Sequence, residues 1–177
     1  MTRWRSCALL VILASGCRPP VRPVFPQPPP THQPVLELWL SKNCNVGDDK
    51  GLEREMRRFA VDLTPRLIAA FESGPLQREK DAAADYARWQ LQQSQKRLRE
   101  GESLGLSPQQ AARIQALNPA ESAAAAVAGF ALSYRSAALT GLAVVRTPEA
   151  LTRLQREAAD PQSPFQKLAA ALVKRAR

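Results

Sequence analysis

Histidine is almost missing from this 177-residue chain, which holds one, His32, inside a proline-rich stretch where no packed fold would hold it. Without a second histidine, neither an HExxH zinc site nor a Ser/His/Asp set can be assembled, and no Cys-x-x-Cys offers a thiolate site instead. No catalytic, metal-binding or cofactor-binding residue is therefore assigned. Sustained strand alternation is also lacking outside the short run Val35–Leu40, where periodicity alone does not separate a strand from a first helical turn. Gly101 to Leu106 has spaced glycines, but no Lys-Ser/Thr and no preceding strand. A helix connector is the better reading than a phosphate loop.

What is present begins with an address. Arg3 and Arg5 precede an apolar run from Ala8 to Ala14, and Ser15-Gly16 supply small residues before Cys17. That order is the grammar of an export signal, and the run is too short to span a bilayer as a helix. Ala14-Ser15-Gly16-Cys17 resembles the lipobox of bacterial lipoproteins, although Ala14 stands where leucine is commonest. The resemblance implies removal of residues 1–16, a diacylglycerol thioether on Cys17 and an acylated amino group, enough chains for stable anchoring. The alternative is an ordinary signal peptide cut near Gly16. Arg18, in place of Asp after the cysteine, is similar to lipoproteins sent on to the outer membrane, facing the periplasm.

Cysteine usage and charge take their meaning from that address. The chain has three cysteines. Cys7 leaves with the signal and Cys17 is lipidated, so Cys44 has no intramolecular partner and packing must supply the stability. A lone cysteine reads as a buried small hydrophobe, with an intermolecular bridge as the rival. Without Arg3 and Arg5 there remain 23 basic against 16 acidic side chains, a charge near +7. For an exported protein the anionic partners are lipid head groups and cell-wall carboxylates, not nucleic acid.

From Arg18 to Pro34 nearly half the residues are proline. Such a segment is expected to be a disordered, extended spacer reaching on the order of 50 Å at about 3.1 Å per residue; a recognition site for a proline-binding partner is the rival. From residue 35 to 177 the pattern predicts one all-α domain. Leu52, Met56, Phe59, Ala60 and Leu63 make one apolar stripe, with Arg54, Arg57 and Arg58 opposite. Asp48-Asp49 lack the spacing of a calcium loop and read as a turn or helix cap. Thr64-Pro65, Ser107-Pro108, Asn118-Pro119, Thr147-Pro148 and Ser163-Pro164 each set a capping oxygen before a proline, a helix-start signature. Gln110, Glu121 and Gln166 offer capping-box partners to three of them. Helices are expected at 52–63, 65–73, 76–100, 108–117, 119–145 (with a break near Ser133 or Gly141 open), 148–159 and 164–176. Ala123 to Val145 has the length of a membrane span, but Tyr134-Arg135 interrupt it and small residues dominate, so a buried helix is expected.

Tyr134 to Arg175 resembles a HEAT-like repeat of the armadillo type: an Ala/Leu-rich helix, a Thr-Pro-Glu-Ala-Leu start, an end near Ala-Asp-Pro, then another Ala-rich helix. Thr64 to Trp89 is similar, with different spacing. The resemblance implies stacked helix pairs with a surface for partners and no catalytic residues. An irregular helical bundle fits the same pattern. Glu79, Asp81 and Asp85, beside Arg78, Lys80 and Arg88, read as solvated charge pairs. Trp39, Tyr86 and Trp89 read as packing residues. The function expected is a membrane-anchored, non-catalytic scaffold or assembly factor for an envelope protein. Alternatives are a pilot lipoprotein of a secretion or conjugation apparatus and a carboxylate-based cell-wall glycoside hydrolase.

Overall fold

The structure, a computed structural model, describes residues 32–41, 49–102 and 104–176. The signal, Cys17, most of the spacer and Cys44 lie outside these residues. The fold is all-α, and no strand occurs among the described residues. The helices are α1 (His32–Ser41), α2 (Lys50–Arg58), α3 (Ala60–Ser73), α4 (Gln77–Arg99), α5 (Pro108–Ala116), α6 (Pro119–Val145), α7 (Pro148–Ala159) and α8 (Gln166–Ala176). Two compact units result. One spans residues 77–129, and the other combines the described residues up to Leu76 with those from Phe130 onward.

The cap chemistry places most boundaries. Asp49 Oδ1 accepts from Leu52 N–H (3.0 Å), Asn118 Oδ1 from Ala120 N–H (2.8 Å) and Thr147 Oγ1 from Ala150 N–H (3.2 Å). Ser107 and Gln110 form a reciprocal capping box. Gly101, at φ +79°, ends α4. Its N–H reaches Leu98 O (3.3 Å) while Glu102 N–H reaches Arg97 O (3.0 Å), a Schellman closure that glycine makes without steric cost.

Three boundaries differ from expectation. α1 begins at His32, so the last residues of the spacer are helical, and the Val35–Leu40 run is helix too. Pro34 falls in the first turn, where its missing N–H costs nothing. The stripe expected over 52–63 breaks at Phe59 (φ −103°, ψ 23°), and α3 runs straight through Thr64-Pro65. Thr64 is not a cap. Its Oγ1 donates back to Ala60 O (2.7 Å), and the side chain is sealed in the interior at 1% exposure. At Ser163-Pro164 the helix starts later, at Gln166, and Ser163 Oγ accepts from Phe165 N–H (3.0 Å) instead of from a third-position amide. α6 is unbroken at both Ser133 and Gly141.

In the larger unit, Trp39, Met56, Leu63, Leu67, Leu139, Leu142 and Leu154 form the fully buried centre. Trp39 Nε1 donates to Ala137 O (2.8 Å), a bond across 98 residues of chain. Gly141 makes that approach feasible, because a Cβ there would lie 2.7 Å from Leu67 Cδ2 and 2.8 Å from Trp39 Nε1. α6 is long and apolar enough to cross a membrane, yet Ala137 to Leu139 and Leu142 to Val145 are core residues of this unit. α7 and α8 pack along each other, and α3 packs on α7. The α3–α7 contact includes a hydroxyl relay. Thr64 spends its one proton on Ala60 O, so Thr147 must donate to Thr64 across their 2.8 Å contact while accepting from Ala150 N–H.

The other unit is sparser in apolar burial: Ala84, Leu91, Ile114 and Ala123 are its buried hydrophobics. α4 packs on α5 and caps it from the side, with Gln95 Nε2 donating to Ile114 O and Leu117 O (both 3.0 Å).

Two glycines of α6 are expected to respond oppositely to alanine. Gly141→Ala should cost about 1–3 kcal/mol by overpacking. Gly129→Ala, with open space around the new methyl, should gain up to about 1 kcal/mol of helix propensity. Thr64→Val should cost about 1–3 kcal/mol by stranding the Thr147 hydroxyl. Urea unfolding of the three variants against the parent checks all of these signs.

Candidate functional site

Three helix ends meet at one shallow groove. The last turn of α2 brings Arg57, the end of α6 brings Thr140, Ala143, Val144 and then Arg146, and α8 brings Leu172 and Arg175. Its volume is about 70 Å³, and its lining joins Ala143, Val144 and Leu172 to three arginines and the single acidic residue Glu53. Glu53 Oε2 is taken by Arg57 Nη2 (3.0 Å). Arg146 and Arg175 have no carboxylate partner among the described residues, and Arg146 Nη2 instead donates to Arg175 O (3.3 Å). Each arginine also faces the negative end of a helix dipole, which favours a cation there whether or not a ligand binds.

The backbone at Arg146 is unusual. It is the one non-glycine residue with positive φ (+54°) among the described residues, and its N–H closes on Leu142 O (3.2 Å) to end α6. Glycine or asparagine is the normal occupant of such a left-handed cap, and other side chains cost about 1–2 kcal/mol there.

A second surface lies in the sparser unit. Tyr86 and Trp89, one turn apart on α4, expose 42% and 55% of their area, with ring centroids 5.8 Å apart. The sequence suggested packing residues at Trp39, Tyr86 and Trp89. Trp39 is one, whereas Tyr86 and Trp89 face solvent. Charges of both signs flank them. Arg88 pairs with Asp85 at i,i+3, and Gln77 Nε2 reaches Asp81 Oδ1 (2.8 Å).

The most buried polar network is elsewhere again. Arg153 pairs with Glu157 (2.9 Å) and faces Glu72 (3.4 Å), while its Cζ stands 4.8 Å over the Phe71 ring. Ser163 Oγ donates to the other Glu157 oxygen, and Phe71 meets Phe165 edge-on at 5.3 Å. Both carboxylates are thus held on one guanidinium that ties α3 to the α7–α8 turn. This is a structural arrangement, with no acid–base pair left open between them. No group of three His, Cys, Asp or Glu side chains is placed to hold a metal among the described residues.

No protein family, curated protein or solved structure matches the chain. Of the residues singled out by sequence, Cys17 lies outside the described residues, and Glu79, Asp81 and Asp85 line α4 at the surface. Of the groove arginines, Arg57 reads in the sequence as part of the polar face of a helix, and no sequence signal joins it to Arg146 and Arg175. They sit far apart in the chain, and an arginine before Thr-Pro does not announce a left-handed backbone.

Glu157→Ala is expected to destabilise by about 3–5 kcal/mol, because it leaves the Arg153 charge buried and half-paired. Glu53→Ala should cost less, about 1 kcal/mol, because its partner Arg57 stays half exposed and can be hydrated when the carboxylate is removed. Denaturant melts of both variants, read side by side, check the contrast.

Proposed function

We propose that this protein is a lipid-anchored component of the bacterial cell envelope whose helical domain binds a partner protein without catalysing a reaction. The observation that carries the binding role is the solvent-facing Tyr86–Trp89 pair on α4. Tyr, Trp and Arg dominate the energetics of protein–protein interfaces, and alternating charges around an aromatic centre supply a specific rim. Anchoring rests on the lipobox-like Ala14–Cys17 stretch and the proline-rich spacer behind it, which would hold the domain off the membrane on the outer-membrane periplasmic face. The HEAT-like reading is part of the same proposal. Its support is the α7–α8 pair stacked against α3, with Thr147-Pro148 opening α7. The Thr64-Pro65 copy does not mark a helix start, so any repeat is irregular.

Two measurements test this. Cys17→Ala should leave the precursor unprocessed and move the protein out of the membrane fraction; normal processing with unchanged membrane association would remove the anchor. A photo-crosslinking amino acid at position 89 should yield one discrete envelope-protein adduct that disappears when Tyr86 is changed to alanine. A folded protein that gives no discrete adduct would remove the Tyr86–Trp89 surface as the binding site.

A further inference from the structure

We propose that the groove framed by Arg57, Arg146 and Arg175 is a binding site for a phosphate group. The groove lies in a different unit from Tyr86 and Trp89, so a ligand there is independent of the partner-binding role. Three arginines from three elements line one concave surface of about 70 Å³, the scale of a single small oxyanion and not of a larger metabolite. One positive charge is answered by Glu53, which leaves two guanidinium groups without a carboxylate among the described residues. Guanidinium forks match phosphate oxygens in pairs, and such charge-assisted bonds are the strong ones. Ala143, Val144 and Leu172 line the same groove, and apolar surroundings strengthen such bonds.

The backbone separates this reading from simple charge balance at helix ends. An arginine complementing the α6 dipole could stand at any position of the last turn. Here it occupies the single left-handed position, where glycine would stabilise the chain. A residue held in a disfavoured conformation on the rim of a cationic groove points to a role outside folding. In its present position Arg146 rests on the Arg175 carbonyl, a long 3.3 Å bond that a phosphate oxygen would readily outcompete.

Two sources present this chemistry: free phosphate or phosphorylated solutes, and the phosphate of a lipid head group. The experiment is calorimetric titration of the full chain in non-ionic detergent with inorganic phosphate at fixed ionic strength, beside thermal melts in the same buffers. Saturable binding is expected, with Arg146→Gly and Arg175→Gln each weakening it about tenfold or more. Arg146→Gly should at the same time melt no lower than the parent, because it relieves the backbone. For the lipid source, flotation of the unlipidated Cys17→Ser chain with phosphatidic acid vesicles should be competed by inorganic phosphate. Flotation with competition assigns a head group, and phosphate binding without flotation assigns a soluble ligand. The proposal is overturned if neither phosphate nor the vesicles bind, or if binding survives in the Arg146→Gly/Arg175→Gln double variant. It is also overturned if Arg146→Gly melts well below the parent, which would make the arginine a structural cap.

Discussion

Everything in the larger unit depends on how closely α6 can approach the indole of Trp39. The bond from Nε1 to the Ala137 carbonyl satisfies the only polar atom of a side chain that is buried in the same apolar core as Leu67, Leu139 and Leu142. It also draws the ring against the backbone at Gly141, where there is no room for one more carbon. A buried tryptophan with an unmet N–H would cost more than its apolar area returns. The missing Cβ and the indole bond are therefore one device. Together they fix the rotation of α6, which decides that Ala143 and Val144 face the groove and that Arg146 arrives at its rim.

A second constraint in that unit is electrostatic. Arg153 lies over Phe71, pairs with Glu157 and faces Glu72, so one guanidinium joins an aromatic contact to two carboxylates from different helices. Such a network adds less net stability than its bond count suggests, since both charges were hydrated before folding. Its stronger effect is on register. Only one rotation of α7 presents Arg153 to Phe71 while Leu154 and Ala150 enter the core. The Thr64–Thr147 relay imposes the same rotation by other means.

Helix identity was largely legible in the amino-acid pattern because the signals are local. A serine or threonine before proline, with glutamine three residues on, satisfies first-turn amides wherever the chain goes, and Ser107–Gln110 does so. Where the same local signal met a tertiary demand, the tertiary demand won. Thr64 has the same Thr-Pro signature as Thr147, yet its hydroxyl is more useful inside, back-bonded to Ala60 and touching Thr147. Ser163 likewise serves Glu157 as well as the next turn. The groove was not legible at all. Arg57, Arg146 and Arg175 belong to three separate charged patterns, each of which reads by itself as a solvated helix end. The exposed placement of Tyr86 and Trp89 was hidden for a related reason: an aromatic pair one turn apart looks the same whether it faces a core or a partner.

The split of the larger unit around residues 77–129 has a consequence for how the chain is made. Trp39 leaves the ribosome early, but Ala137, whose carbonyl takes its indole N–H, comes 98 residues later, and Leu36 and Leu67 share that core. Until then those side chains stay open to solvent, and no nascent fragment ending before Gly141 can close the core. Contacts of such long sequence separation form slowly, because loop closure precedes any return from burial. The same geometry that protects Trp39 in the finished protein postpones that protection until nearly all of it exists.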